Sequence, residues 1–179
     1  MVESILEINR MESGKLDLSL SKFNIEDLIK ESIAEFQITA KEYKVELTFE
    51  SKHEIPKVKL DEIKIQRVIN NLIDNALKFN PEGEEIALFV ESAGQDRIEI
   101  HVLDRGPGIP EEYLDSIFDR FFQVPNSSSR KRGTGLGLTY CRLTAKAHNG
   151  MIWVVNRPGG GSEFVVSLPI SAQENGDGS

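Results

Sequence analysis

Cysteine is nearly absent. Cys141 stands alone, so no internal disulfide can form, and its helical setting reads as a small hydrophobe in a reducing compartment rather than a catalytic thiol. Long hydrophobic runs are missing too, none approaching the ~20 residues that a membrane-spanning helix needs. The opening Met1-Val2-Glu3-Ser4 has neither the basic nor the apolar segment of a secretory leader. Positive charge is in short supply: 21 Lys and Arg stand against 29 Asp and Glu, a net charge of −8. Phosphate backbones select basic surfaces, so this balance argues against nucleic acid as the main partner while leaving room for a local grip on a small anion. A soluble, cytoplasmic polypeptide is expected, and a membrane anchor on a longer parent chain is compatible with that. The 179 residues, 39% of them hydrophobic, suffice for one α/β domain with a sizeable core and not for two.

What is present follows an ordered pattern. Residues 2–13 read as a helix with Val2, Ile5, Leu6, Ile8 and Met11 on an apolar face and Gly14 as its stop. So short a helix is marginal alone, since isolated helices below ~12–15 residues are barely stable. It is expected to continue a segment outside this chain or to pack on a partner. Leu16, Leu18 and Leu20 alternate as a short strand. Asn24 is a good N-cap for a helix to about Tyr43, and Val45, Leu47 and Phe49 alternate as a strand. Asp61 caps a helix to about Phe79, with Ile65, Val68, Ile69, Leu72, Ile73 and Ala76 facing inward. A hairpin is expected near 85–92 and 97–103, then a helix near 111–118. Gly133–Leu138 leads into a helix ending at Asn149-Gly150, and two strands near 151–156 and 163–169 flank Pro158-Gly159-Gly160-Gly161. The tail from Ser171 is polar and expected to be disordered. The order suggests helices layered on one face of a mixed sheet.

Three constellations carry chemistry. Asn71, Asn75 and Lys78 lie at i, i+4 and i+7 on one helical stripe beside the apolar one. Asn offers a neutral carbonyl oxygen that suits Mg²⁺, and Lys78 a point charge for phosphate, although an amphipathic helix alone would account for the stripe. Asp104-Arg105-Gly106-Pro107-Gly108-Ile109 ends a strand. There a carboxylate can accept from an exocyclic amine such as that of adenine while the glycines let a flat ligand approach, or the segment is a tight turn. Gly133-Thr134-Gly135-Leu136-Gly137-Leu138 opens a helix, whose N-terminus favours anions by ~0.3–1 kcal/mol. Its spacing fits neither a P-loop nor the dinucleotide fingerprint. Arg130, Lys131 and Arg132, the densest basic run of an acidic chain, stand just before it.

In this order the elements resemble the boxes of the histidine-kinase catalytic domain, within the wider superfamily of gyrase-, Hsp90- and MutL-type ATPases. Asp61 through Asn80, with Gln66-Arg67-Val68-Ile69-Asn70-Asn71-Leu72-Ile73-Asp74-Asn75-Ala76-Leu77-Lys78-Phe79, resembles the N box. Asp104 to Gly108 resembles the G1 box, Ile117-Phe118-Asp119-Arg120-Phe121-Phe122 the F box, and Gly133 to Leu138 the G2 box. Gly159-Gly160-Gly161-Ser162 with Phe164 and Leu168-Pro169 is similar to the closing glycine segment. The resemblance covers roughly residues 16–170.

It implies a Bergerat α/β sandwich that binds ATP with Mg²⁺. By position, Asn75 would coordinate Mg²⁺ and Asn71 would contact phosphates or support the ion, Lys78 would lie near the phosphates, and Phe79 near the nucleotide. Asp104 would read the adenine amino group, with Gly106 and Gly108 admitting the base. Arg130, Lys131, Arg132, Gly133, Thr134, Gly135, Leu136 and Gly137 would border the triphosphate, and residues 119–132 would form a lid. ATP-hydrolysing relatives carry a water-activating Glu where Asn71 stands. An amide cannot act as general base, so the resemblance favours phosphoryl transfer to an external nucleophile over hydrolysis.

That nucleophile would be a histidine in a His-Glu/Asp-x-x-Thr/Asn-Pro helix, and the chain offers only His53, His101 and His148. His53-Glu54-Ile55-Pro56 imitates the motif, but Pro56 forbids a helix there. His101 and His148 read as structural. The expected organisation is therefore the end of a dimerisation helix over 1–15, an ATP-binding catalytic domain over 16–170, and a disordered tail over 171–179. The acceptor would sit on a separate dimerisation domain, a response regulator would lie downstream, and the fragment would be monomeric with a homodimeric parent. Self-phosphorylation is not expected. Two rivals remain, a serine kinase of the anti-sigma type and a nucleotide-binding pseudokinase acting by partner contact.

Overall fold

The computed structural model describes residues 2–13, 17–125 and 133–172. Its framework is a five-stranded sheet of β2 (Glu46–Ser51), β4 (Glu85–Ala93), β5 (Arg97–Leu103), β7 (Ser162–Pro169) and β6 (Met151–Asn156), in the order β2-β4-β5-β7-β6. The β2–β4 pair is parallel and the other three pairs are antiparallel. A separate two-stranded ribbon pairs β1 (Ser21–Phe23) with β3 (Val58–Leu60). Helices α2 (Ile25–Glu42), α3 (Glu62–Phe79) and α4 (Gly137–Ala147) cover one face of the sheet. The architecture is thus the expected α/β two-layer sandwich.

Period-2 alternation sends Ile86, Leu88 and Val90 of β4, Ile98, Ile100 and Val102 of β5, and Phe164, Val166 and Leu168 of β7 beneath the helices. They meet Ile65, Val68, Ile69, Leu72 and Ile73 of α3, all but excluded from water. Each such aliphatic side chain contributes ~1.5–3 kcal/mol on burial, which makes α3 the central rib of the core.

Both long helices begin where the sequence said they would. Asn24 Oδ1 accepts from the Glu26 N–H at 2.9 Å, and Asp61 Oδ1 accepts from the Lys64 N–H at 3.1 Å. The start of α3 is pinned further by the buried His148, whose Nε2 accepts from the Asp61 N–H at 3.0 Å while Nδ1 donates to the Thr144 carbonyl at 2.8 Å. Burial depresses the His148 pKa, so the neutral ring joins the end of α4 to the beginning of α3. Cys141 is fully buried and its thiol is pushed up to about 12 by desolvation, in keeping with a structural role.

Three expectations need correction. Residues 17–20 are not a strand; the β1 strand starts at Ser21 and is three residues long, as is β3, which has too few residues for a periodic signal. The helix expected near 111–118 is two 3₁₀ turns, Glu111–Tyr113 and Ser116–Phe118. Ile117 and Phe118 are the buried residues of the second turn, and a run this short presents no full helical stripe to the core. Ser171 and Ala172 are not a loose tail: Ser171 bridges Lys59, and the buried Ala172 donates its N–H to the Lys59 carbonyl at 3.0 Å. Helix α1 (Val2–Glu12) packs on the rest of the chain, with Ile8 and Met11 buried and Glu7 paired to Lys64 at 2.9 Å and Arg67 at 2.5 Å. Gly14, Leu16 and residues 173–179 lie outside the described residues. No helix among the described residues is long and apolar enough to cross a membrane.

Candidate functional site

Between α3, the β5 terminus and the start of α4 lies a cavity of about 220 Å³. The α3 stripe forms one wall: Asn71, Asn75, Lys78 and Phe79 all line it. Asp74 lines it as well, and its carboxylate takes an ion pair from the Lys78 ammonium one turn on. The sequence reading missed Asp74, although an Asp four residues before a Lys is the usual helical pairing.

The opposite end is organised by Asp104, which β5 delivers at its terminus with 4% exposure. Its Oδ1 accepts from the Gly106 N–H at 2.8 Å and from the Ser162 N–H at 3.1 Å, while Oδ2 bonds to no described residue. Burial raises the carboxyl pKa, and these two N–H donors and the Arg157 guanidinium oppose the rise. A half-satisfied carboxylate facing a largely apolar cavity is suited to accept from an amine on a flat ligand. Pro107, Gly108 and Ile109 continue the lining, and Ile117, Phe122, Val124, Leu138 and Phe164 add apolar surface to it.

The loop 104–109 is fixed almost wholly through its backbone. Asn80 Oδ1 accepts from the Arg105 N–H at 2.7 Å, and its amide donates to the Glu84 carbonyl at 3.1 Å. Asn156 clamps Ile109 from both sides, Oδ1 accepting from its N–H at 2.8 Å and Nδ2 donating to its carbonyl at 2.7 Å. Arg157 donates to the Asp104 carbonyl at 2.8 Å. Gly161 passes so close beneath that a Cβ would lie 2.1 Å from the Asp104 carbonyl oxygen, and its φ of +94° suits glycine alone. Asn80, Asn156, Arg157 and Ser162 were not foreseen, because each acts on backbone far away in sequence. Gly106 serves Asp104 rather than the cavity surface: a Cβ there would come within 3.0 Å of Asp104 Oδ1 and 3.1 Å of the Phe79 carbonyl oxygen.

Gly133, Thr134, Gly135 and Gly137 border the other end, beside Lys78 and Asn71. A Cβ on Gly137 would sit 3.4 Å from Asn71 Oδ1, and one on Gly133 would sit 3.7 Å from Lys78 Nζ. Two boxes distant in sequence thus face each other across a gap left open by missing side chains. Helix α4 starts at Gly137 with no side-chain cap, so its first-turn N–H groups remain available to an anion. The Leu136 side chain is buried in the core, and the residue forms the N-terminal flank of α4. The segment after the second 3₁₀ turn is tied to the glycine loop by the Phe121 N–H to the Gly135 carbonyl at 2.9 Å and by Gln123 Nε2 to the Gly133 carbonyl at 2.7 Å. Arg130, Lys131 and Arg132 lie outside the described residues.

Residues 60–172 match the family described as histidine kinase-, DNA gyrase B-, and HSP90-like ATPase. The chain is 35% identical over 170 residues to the adaptive-response sensory kinase SasA of Crocosphaera subtropica, covering 95% of this chain and 44% of that protein. Full-length ShkA, solved in complex with AMPPNP, superposes with a TM-score of 0.85 at 26% identity over 97% of this chain and 36% of that one. The catalytic domain of histidine kinase ThkA in a nucleotide-free form gives 0.76 at 30% identity, over 87% of this chain and 98% of that one. ThkA has also been solved in complex with response regulator protein TrrA, with a TM-score of 0.74 at 27% identity over 94% of this chain and 47% of that one. The chain spans less than half the length of the curated relatives it matches first, 11% and 44%.

Proposed function

The chain belongs to the histidine kinase-, DNA gyrase B-, and HSP90-like ATPase family, and on that premise we propose that it is the ATP-binding catalytic module of a sensor histidine kinase. It transfers the γ-phosphoryl group of ATP to a histidine imidazole on a dimerisation domain. The observation that carries this reading is the amide at Asn71, beside the glycine loop at the start of α4. No carboxylate stands there to activate water. Asp74 is held by Lys78, and Asp104 is at the far end of the cavity. Such a site holds a terminal phosphate for an external nucleophile, and positioning with charge neutralisation is most of what phosphoryl transfer needs.

Adenine stacks into the apolar end with its amino group on Asp104 Oδ2. The triphosphate runs toward Lys78, Gly133, Thr134 and Gly135 and the open first turn of α4. Asn71 and Asn75 present neutral oxygen donors into the same space, a set that fits an oxygen-preferring Mg²⁺ retaining waters and phosphate oxygens. Asn75 would hold that ion, with Asn71 in support. Bound there, Mg²⁺ supplies neutralisation of phosphate charge. Arg130, Lys131 and Arg132 add positive charge from the lid.

Helix α1 is the end of the dimerisation helix, and the catalytic unit runs from about residue 16 to Ala172. A response regulator receives the phosphoryl group downstream, the parent is a homodimer working in the cytoplasm, and this piece alone is a monomer.

Two measurements test the reading. Titration with a fluorescent ATP analogue should give weaker binding for Asp104→Asn, and unchanged affinity would remove the base-site assignment. Supplied in trans with a His-Glu/Asp-x-x-Thr/Asn-Pro helix and labelled ATP, the protein should yield an acid-labile phosphorylated product. An acid-stable product would replace histidine by a hydroxyl acceptor.

A further inference from the structure

The face of the sheet turned away from α2, α3 and α4 carries a second cluster of functional groups. On β5 the residues alternating with Ile98, Ile100 and Val102 are Arg97, Glu99, His101 and Leu103. His101 is only 7% exposed even on this uncovered face. Its ring stacks on Phe89, 4.1 Å between centroids at 13°, directly across the β4–β5 pair. Glu163 of β7 receives Nδ1 at 2.7 Å. A carboxylate can only accept, so Nδ1 carries the proton and Nε2 of the neutral ring offers a lone pair.

That lone pair points at further acceptors. Nε2 has no hydrogen-bond partner, and its nearest neighbours are Glu91 Oε1 at 3.4 Å and Glu99 Oε2 at 3.7 Å. Glu91 and Glu99 are also direct cross-strand partners, an arrangement that destabilises a sheet unless the charges are neutralised. Lys52 Nζ meets Glu91 at Oε2, 3.1 Å away, which leaves Oε1 facing the ring. Three ligand atoms of the right kind therefore converge within 4.8 Å of one another, with Lys52 held on the other oxygen of Glu91.

We infer that Glu91, Glu99 and His101 form a divalent transition-metal site on the outer face of the sheet, with zinc the ion that the ligand set fits. Bonds of about 2.0–2.2 Å in tetrahedral array separate neighbouring ligand atoms by roughly 3.3–3.5 Å, close to the 3.4 and 3.7 Å from Nε2 to the two carboxylates, and one position is left for water. Imidazole selects such ions over Mg²⁺. Glu163 completes the carboxylate–histidine–metal arrangement, holding the ring and its tautomer from behind. The site is independent of the nucleotide cavity, which lies on the helix-covered side.

Nucleotide-free protein in excess Mg²⁺ is titrated with Zn²⁺ by calorimetry and with Co²⁺ by visible absorption, while histidine NMR follows the His101 ring. One ion per chain is expected, with the Nε2 resonance shifted on binding. Glu99→Gln should weaken binding at least tenfold and His101→Gln should abolish it. Glu163→Gln, which touches no metal, should cost about 10–100-fold. Glu99 lies at the surface, so its variant keeps the test valid if His101→Gln fails to fold. Unchanged binding in both Glu99→Gln and His101→Gln would overturn the assignment. So would the absence of binding together with a His101 ring protonated on both nitrogens, which would make the cluster a caged imidazolium.

Discussion

At the Asp104 end of the cavity the fixing contacts run to backbone: the Gly106 and Ser162 N–H groups on the carboxylate, Asn80 on Arg105, Asn156 on Ile109, and Arg157 on the Asp104 carbonyl. At the Lys78 end they are fewer and more exposed. Lys78 pairs with a half-exposed Asp74, and Gln123 reaches back to the Gly133 carbonyl. Arg142 holds Asp119 at 2.8 Å, and Arg120 reaches out to Glu12 and Asn9 of α1. The first end is preorganised, as the proposed recognition of a flat base requires. The second is assembled from side chains that can rearrange around a charged, flexible group, and it alone is wired to α1.

The sharpest way to break the rigid end is Gly161→Ala. Its Cβ would meet the Asp104 carbonyl oxygen at 2.1 Å on a backbone of positive φ, so stability should fall by ~3 kcal/mol and nucleotide binding should be lost. Gly159→Ala, at φ +88° but with nothing within 4 Å, should cost only ~1 kcal/mol; thermal denaturation of the pair separates collision from strain. Next, Asp104→Asn should weaken ATP and adenosine equally, by ~1.5–3 kcal/mol, as measured by calorimetry. Lys78→Met should weaken ATP by about tenfold, roughly 1.4 kcal/mol, and leave adenosine unchanged. Equal losses for both ligands in Lys78→Met would erase the distinction between the two ends.

The smallest effect is in pH. Burial holds the Asp104 pKa above the ordinary 3.8, so adenosine affinity should begin to fall on acidification at a higher pH than an exposed carboxylate would dictate. The folded state takes up this proton before the unfolded state does, so protonating Asp104 favours the fold over that window and the loss is one of recognition. The same titration of Asp104→Asn should lack this component.

Much of this contrast was readable from the chain. The i, i+4, i+7 stripe of Asn71, Asn75 and Lys78 survives because helical periodicity is local, and Asp104 was marked by the alternating strand that ends on it. The clamps were not readable. Asn80 acts across 25 residues and Ser162 across 58, and nothing in either neighbourhood encodes the partner. Gly106 and Leu136 sat in the right motifs yet work from behind the cavity, since a motif specifies backbone path more firmly than side-chain direction. Three-residue strands and 3₁₀ turns escaped because they are too short for a period to repeat.

The bond from the Phe121 N–H to the Gly135 carbonyl also has a consequence for how this domain can diversify. Gln123 repeats the tie at the Gly133 carbonyl, and Phe122 and Val124 pack against the core, so only the stretch between Val124 and Gly133 can change without touching these contacts. Closing a flexible loop of twice the length would cost only about 0.6 kcal/mol more. Insertions or deletions there should therefore be nearly neutral for folding. Length and charge between Val124 and Gly133 can then change at little cost to the Asp104 end.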